Sequence, residues 1–162
     1  MAALNADPVP NLPAGIARLE RDLPDVLAGR TLEQAGWVQP TRSSLCIPTW
    51  SKTFDFFLLR LTFECYPEWP PSALFVNPIT KIYEGKDIMW LPKIEAPHLK
   101  THANYADRHG QVICNSSTLE FYKVGHGLGD AGHIWNESYT FQHTLHTITD
   151  ALRSSFYLGR MG

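Results

Sequence analysis

The stretch YPEWPP, residues 66–71, contains three prolines in six positions. Each proline lacks a backbone N–H donor, so this segment cannot continue a central strand of a sheet. It follows residues 57–64, in which every second residue is large and apolar: Phe57, Leu59, Leu61 and Phe63. This alternation predicts a strand with one buried face. The prolines predict a rigid exit from that strand, with the rings of Tyr66 and Trp69 packed against them.

The rest of the chain supplies further strands and a helix near each end. Apolar residues recur at helical spacing in residues 14–28 and 139–157, and Gly159 is expected to close the second helix. Pro24 predicts a kink or an early stop in the first helix. Shorter strands are expected at 36–40, 43–48 and 72–77, before a long irregular stretch at 78–112. The predicted fold class is α+β, an antiparallel meander sheet of about four strands flanked by an N-terminal helix and a C-terminal helix.

Length and composition limit the classes of protein to be considered. With 162 residues and 44% hydrophobic residues, we expect one domain at 14–162 after a flexible lead-in at 1–13. The formal net charge of -2 gives no electrostatic reason to expect nucleic acid or an anionic membrane as a partner. We find no secretory leader and no apolar run of the roughly 18 residues that a membrane-spanning helix needs. Three widely separated cysteines suggest neither a disulfide framework nor a CxxC motif, which predicts a cytoplasmic protein.

Further motifs follow YPEWPP in order along the chain. A short apolar strand, ALFV, comes first; then HAN (102–104) precedes GQVIC (110–114); and Trp135 is followed five residues later by Thr140, at the start of a helix. In this order they resemble the ubiquitin-conjugating enzymes, which have Tyr-Pro-x-x-Pro-Pro, His-Pro-Asn, Gly-x-Ile-Cys and a Trp before a helix. The resemblance extends from about residue 14 to residue 157. It implies the α+β fold of that family, the UBC fold.

The chain also departs from that family. Ala103 replaces the proline of His-Pro-Asn, the spacings from Asn104 and from Gly110 to Cys114 are longer than in the eukaryotic enzymes, and the segment between Cys114 and Trp135 is expanded and rich in glycine. One helix follows Trp135, where the eukaryotic enzymes have more. In these respects the chain is similar to compact bacterial members whose operons pair a ubiquitin-like protein with activating and deconjugating enzymes. That resemblance alone suggests a role in antiphage defence.

The resemblance implies that Cys114 carries a ubiquitin-like protein as a thioester, received from an activating enzyme and passed to an amine on a target protein. A thiolate suits both steps, because it is a good nucleophile near neutral pH and a good leaving group. The polar run at 115–117 is expected to leave the thiol partly exposed. His102, His109, His126 or backbone N–H groups can stabilise the thiolate, and the sequence does not choose among them.

Asn104 and His102 are the other candidate catalytic residues. The Asn104 amide can stabilise the oxyanion that forms when an amine attacks the thioester, or it can bond to its own loop, as asparagine often does. His102 is expected to organise the same loop. Cys46 and Cys65 lie in strand contexts and are predicted to be core residues.

The family also implies two surfaces for partners. The first helix docks the activating enzyme, so Arg18 and Arg21, with Arg30 nearby, either meet an acidic surface there or form a solvated helix face. A second surface, used by ligases, lies on two loops and would involve Tyr66, Trp69 and Trp135. Trp69 and Trp90 are either exposed anchors of an interface or caps on the core.

Two other functions stay open. A non-catalytic binding module of the same fold would recruit a ubiquitin-like protein without carrying it; Cys114 counts against this, and the altered spacings count for it. A Cys-His hydrolase would pair Cys114 with His126 or His133 and end in attack by water. A zinc site built from Cys114 and two histidines lacks a supporting CxxC pair, so neither a metal nor a cofactor is predicted.

Overall fold

The computed structural model describes residues 7–127, 130 and 132–162; residues 1–6 of the expected lead-in lie outside this part of the chain. The helices described are α1 (Leu12–Leu27), α2 (Leu32–Ala35), α3 (Leu119–Lys123) and α4 (Phe141–Arg153). The strands are β1 (Val38–Thr41), β2 (Ser44–Trp50), β3 (Phe56–Thr62), β4 (Ser72–Val76), β5 (Pro92–Ile94), β6 (Lys100–His102), β7 (Val112–Cys114) and β8 (Tyr157–Arg160). Short 3-10 helices occupy Ile88–Trp90 and Tyr105–Asp107. No helix in the described ranges has the length and apolar character needed to cross a membrane.

The four predicted meander strands form one antiparallel sheet. Its order is β1-β2-β3-β4, with α1 before it in the chain and α4 after it, so the α+β class is confirmed. β2 and β3 pair without interruption from Ser44 opposite Thr62 to Trp50 opposite Phe56. β3 ends before YPEWPP, as the prolines predict.

The two faces of β3 pack against different parts of the protein. Phe57, Leu59 and Leu61 are at most 1% exposed and belong to the main core, which also contains residues of α1 and α4. Leu58 lies on the opposite face, in a smaller cluster with Cys46. The predicted alternation is therefore correct for the main core. The second face is only partly covered: residues from the neighbouring strands and Tyr83 bury Leu58, whereas Arg60 and Thr62 are half-buried.

α1 begins two residues before its predicted start because Asn11 caps it. The Asn11 side-chain oxygen accepts a hydrogen bond from the backbone N–H of Ala14 at 3.3 Å, which satisfies one of the free N–H groups of the first turn. Pro24 does not stop the helix early, as the helix continues to Leu27. The buried face that includes Leu19 packs into the core, and such packing outweighs the single hydrogen bond that a proline removes.

The second half of the chain contains more strand than the sequence suggests. The stretch predicted as irregular, 78–112, holds β5, which pairs with β8, and β6, which pairs with β7. The helix predicted at 139–157 is shorter, because Ser154 adopts an extended conformation and its hydroxyl donates to the Ala151 carbonyl at 2.7 Å. Strands of three or four residues are too short for a periodic pattern, and their pairing partners are distant in sequence.

YPEWPP connects the sheet to both long helices. Tyr66 is 1% exposed, and its hydroxyl donates to the Asp22 carboxylate of α1 at 2.5 Å. The same hydroxyl accepts a hydrogen bond from the backbone N–H of Phe141 at 3.0 Å, at the start of α4. The Tyr66–Pro67 peptide bond is cis. One buried side chain thus holds α1 and α4 against the end of β3.

Candidate active site

Cys114 is the last residue of a short hairpin made by β6 and β7. The register pairs Cys114 with Lys100, Ile113 with Thr101, and Val112 with His102. The hairpin is attached to the main sheet by Gln111, whose side-chain amide bonds to the backbone of Phe75 in β4. Pairing of β7 with β6 and the attachment of Gln111 to β4 therefore fix the position of Cys114.

The polar run after Cys114 is itself buried, although Cys114 is partly exposed as expected. Asn115, Ser116 and Ser117 are 9%, 3% and 1% exposed. The Asn115 amide donates to the His98 carbonyl at 2.7 Å, and its side-chain oxygen accepts from the Ser117 N–H at 2.8 Å. The Asn115 side chain thus holds the turn between β7 and α3, whereas the buried Ser117 hydroxyl has no hydrogen-bond partner among the described residues.

The thiol is nevertheless accessible, because it lines an open cleft of about 430 Å³. Cys114 is partly exposed, whereas Cys46 and Cys65 are buried, as predicted. The cleft walls combine apolar and ionisable side chains. Among the ionisable ones are three histidines, one lysine and one aspartate: His98, His126, His133, Lys100 and Asp130.

Two of the cleft histidines have side-chain partners. The His126 Nδ1 lies 3.5 Å from the Asp130 carboxylate, and its Nε2 lies 2.9 Å from the Tyr105 hydroxyl. The His126 ring also stacks on Phe121, with 4.9 Å between ring centroids. His133 makes a longer contact, 3.4 Å from its Nε2 to the Ser116 hydroxyl. His126 is thus restrained at both ring nitrogens and on its face.

Burial and the negative charge of Asp130 disfavour the thiolate form of Cys114. Burial raises the pKa of the Cys114 thiol, the negative charge of Asp130 raises it further, and the positive charge of Lys100 lowers it. The pKa of Asp130 is itself lowered, first by the hydrogen bond from the Gly127 N–H and then by His126. The resting thiol is therefore protonated more often than an exposed cysteine at the same pH.

Asn104 and His102 lie at the other end of the hairpin from Cys114. The Asn104 side-chain oxygen accepts a hydrogen bond from the Gly110 N–H at 2.9 Å, which closes the loop between β6 and β7. The His102 ring packs edge-on against Tyr105, with 5.1 Å between centroids, and burial lowers its pKa. Neither residue lines the cleft, nor does His109, in the part of the chain that is described. The geometry favours the loop-forming interpretation of Asn104 and His102.

The three aromatic residues expected at a binding surface are core residues. Tyr66, Trp69 and Trp135 are 1%, 6% and 6% exposed. The Trp135 indole N–H donates to the Pro67 carbonyl at 2.8 Å, and Trp69 packs edge-on against Tyr122. Trp69 is therefore a cap on the core and not an exposed anchor, because its ring fills the space between YPEWPP and α3. Any partner at this surface would contact other side chains.

The arginines in α1 and just after it have different environments. Arg18 is committed to Asp22, with both carboxylate oxygens within 3.0 Å of its Nε. With its side chain only 16% exposed, Arg18 neither extends toward a partner nor forms a solvated helix face, the two alternatives that the sequence left open. Arg21 and Arg30 are exposed, and their pairing with an activating enzyme stays a prediction.

Several residues that line the cleft or contact its histidines were not identified from the sequence. Asp130 and Tyr105 orient His126, and Lys100 faces Cys114 across the hairpin, but none was a candidate. The short separation of His126 and Asp130 in the sequence was the available signal, since residues only four apart can contact each other within a turn. No group of three or more possible metal ligands occurs among the residues that the structure describes.

Comparison with known proteins gives no relative. No family model, no curated protein and no solved structure matches this chain. The functional assignment therefore depends on the sequence motifs and on the geometry of the cleft.

Proposed function

We propose that this protein is a ubiquitin-conjugating-type enzyme of the UBC fold, with Cys114 as the residue that carries a ubiquitin-like protein. The order of helix, four-stranded meander, YPEWPP, cysteine hairpin and second helix supports this proposal. So does the joining of YPEWPP to Trp135, which brings two of the family-like motifs together. The enzyme would belong to the compact bacterial type, acting in the cytoplasm and, by the same resemblance, in antiphage defence.

The observation that carries the proposal is the exposure of one cysteine in a cleft while the other two are buried. A carrier cysteine must be reached first by the thioester on an activating enzyme and then by an amine. An open cleft at the end of a hairpin permits both approaches. The buried thiols of Cys46 and Cys65 permit neither.

A Cys-His hydrolase is the second candidate, favoured by the His126–Asp130 pair in the same cleft. Such a pair can activate water against an acyl group on Cys114. The two functions share the acyl-cysteine and differ in the nucleophile that removes it. The non-catalytic binding module would form no acyl-cysteine at all.

The test is intact-protein mass spectrometry after incubation with a candidate activating enzyme, its ubiquitin-like protein and ATP. We expect a thiol-labile adduct on the wild-type protein, a thiol-stable ester on Cys114→Ser and no adduct on Cys114→Ala. Cys65→Ser provides a matched control that should charge like the wild type. No adduct with an activating enzyme that is itself charged would favour the binding module, and release of the acyl group to water without an amine would favour the hydrolase.

A further inference from the structure

We propose that His126 is the general base for acyl transfer from Cys114 to the acceptor amine. This inference rests on the proposed function, because it names the chemistry of the same cysteine. It assigns a role to a histidine that the family resemblance does not supply.

The first argument is the position of the histidine. His126 and Cys114 line the same cleft, so a group bound there can meet both side chains. Contacts with Asp130, Tyr105 and Phe121 hold the imidazole in place, so that release of the Tyr105 hydroxyl is the change required before His126 can act as a base. Imidazole is also the side chain best suited to accept and release a proton near neutral pH.

The second argument is the tautomer of His126, that is, which ring nitrogen carries the proton. The Asp130 carboxylate can only accept, so it favours a proton on Nδ1. Nε2 is then the acceptor nitrogen, and it lies 2.9 Å from the hydroxyl of Tyr105. An amine N–H that replaces the Tyr105 hydroxyl would meet the lone pair of Nε2. Asp130 and Tyr105 are positioning residues in this scheme.

The step balances as follows. The amine nitrogen forms a bond to the carbonyl carbon of the acyl group, and the carbon–sulfur bond breaks with its electron pair going to Sγ of Cys114. The proton lost by the amine goes to Nε2 of His126. His126 then returns that proton to the Cys114 sulfur, which leaves an amide, a free thiol and a neutral imidazole.

The chemistry of the cleft suits an amine better than water. The Asp130 carboxylate lines the cleft and would attract the ammonium form of a lysine side chain, which loses one proton to solvent before the neutral amine attacks. The walls also contain Leu99 and Phe121, which can contact the methylene stem of a lysine. Water would gain from neither feature.

The experiment installs the acyl group chemically, so that it does not depend on the ubiquitin-like partner. The full-length protein is acylated on Cys114 with an N-acetyl-glycylglycine thioester and desalted. Transfer to free L-lysine and loss to water are then followed by mass spectrometry of the protein and of the peptide product. The variants are His126→Gln and Tyr105→Phe, with His146→Gln, an exposed histidine of α4, as the matched control.

We expect His126→Gln to slow transfer to lysine by about 100-fold, while His146→Gln stays within twofold of the wild type. Tyr105→Phe should transfer at least as fast as the wild type, because it removes the hydroxyl that competes for Nε2. Transfer by His126→Gln within twofold of the wild type would overturn the proposal, as would a Tyr105→Phe variant as slow as His126→Gln. If charging by a ubiquitin-like protein fails while chemical transfer still needs His126, the carrier function is wrong and this inference stands.

Discussion

The side-chain amide of Gln111 forms two hydrogen bonds with the backbone of Phe75, accepting from its N–H at 2.6 Å and donating to its carbonyl at 2.9 Å. Phe75 belongs to β4, which has no strand on its outer side within the main sheet. Gln111 therefore takes the place of a neighbouring strand at that position. Because it directly precedes β7, it also couples the sheet to the hairpin that presents Cys114.

Replacing Gln111 by Leu should destabilise the protein. Both backbone groups of Phe75 would stay buried without a partner, and each such group costs about 1–3 kcal/mol. We expect the free energy of unfolding in urea to fall by about 2–4 kcal/mol, with slower acylation of Cys114. The control variant Gln39→Leu, at an exposed position of β1, should change the free energy of unfolding by less than about 0.5 kcal/mol. Equal stability of the two variants would show that the contact between Gln111 and Phe75 does not stabilise the protein.

The buried and exposed ion pairs of α1 should differ in their effect on stability. The Arg18–Asp22 pair has side chains only 16% and 5% exposed, and Asp22 also accepts from Tyr66. Asp22→Ala leaves a largely buried arginine unpaired, and we expect a loss of about 3–5 kcal/mol in chemical denaturation. Glu20→Ala breaks the Arg42–Glu20 pair, which is 75% and 57% exposed, and should cost at most about 0.5 kcal/mol. A loss of similar size in both variants would contradict this argument.

Gly15→Ala should destabilise the protein, although alanine is the better helix former by about 1 kcal/mol. A Cβ atom at Gly15 would lie 1.9 Å from the carbonyl oxygen of Phe63. Since that neighbour is backbone, α1 would have to move away from the end of β3. Gly85→Ala is the matched control, because nothing lies within 4 Å of the added atom. A thermal midpoint of Gly15→Ala at or above that of the wild type would show that α1 can shift without cost.

Alkylation by iodoacetamide should report both the exposure and the electrostatics of Cys114. We expect Cys114 to react first and the buried Cys46 and Cys65 only on unfolding. A free cysteine is half ionised at a pH of about 8.5. Because burial raises the pKa of Cys114, its alkylation rate should still increase with pH above that value. The signs of the two nearby charges give the control: Lys100→Gln should slow labelling at pH 8, and Asp130→Asn should accelerate it. A plateau in rate below pH 8 would contradict the raised pKa.

Asn104→Ala separates the two interpretations of that residue. The loss of the hydrogen bond to Gly110 should lower stability by about 1 kcal/mol. If Asn104 only closes the loop, transfer of the acyl group from Cys114 to lysine should slow less than tenfold. Removal of a direct oxyanion donor slows a reaction by about 100- to 1,000-fold. A loss in that range, in a variant that is otherwise folded, would restore Asn104 as a catalytic residue.

The sequence was most informative where periodicity is long or where a residue type restricts the backbone. The alternation at 57–64 predicted β3 and its core face, the prolines of YPEWPP predicted its end, and apolar spacing predicted both long helices. These features are local, because each residue's side chain and backbone preferences decide them. What the sequence left open or did not anticipate concerns side chains whose environment is set by distant segments. Trp69 caps the core because α3 lies over it, and the Asn115 side chain is buried where its amide donates to the carbonyl of His98.

By itself, the sequence determined the α+β class, the central strand and its rigid exit, and it named Cys114 as the candidate nucleophile among three cysteines. Only the tertiary structure decided which side chains accompany that thiol. Pairing of β6 with β7 places Lys100 beside Cys114 and Asn104 at the far end, and the turn after α3 brings His126 and Asp130 into the same cleft. The physical reason is that a reactive site depends on distances between segments far apart in the chain. Those distances are fixed by strand register and core packing, which no local pattern of residues records.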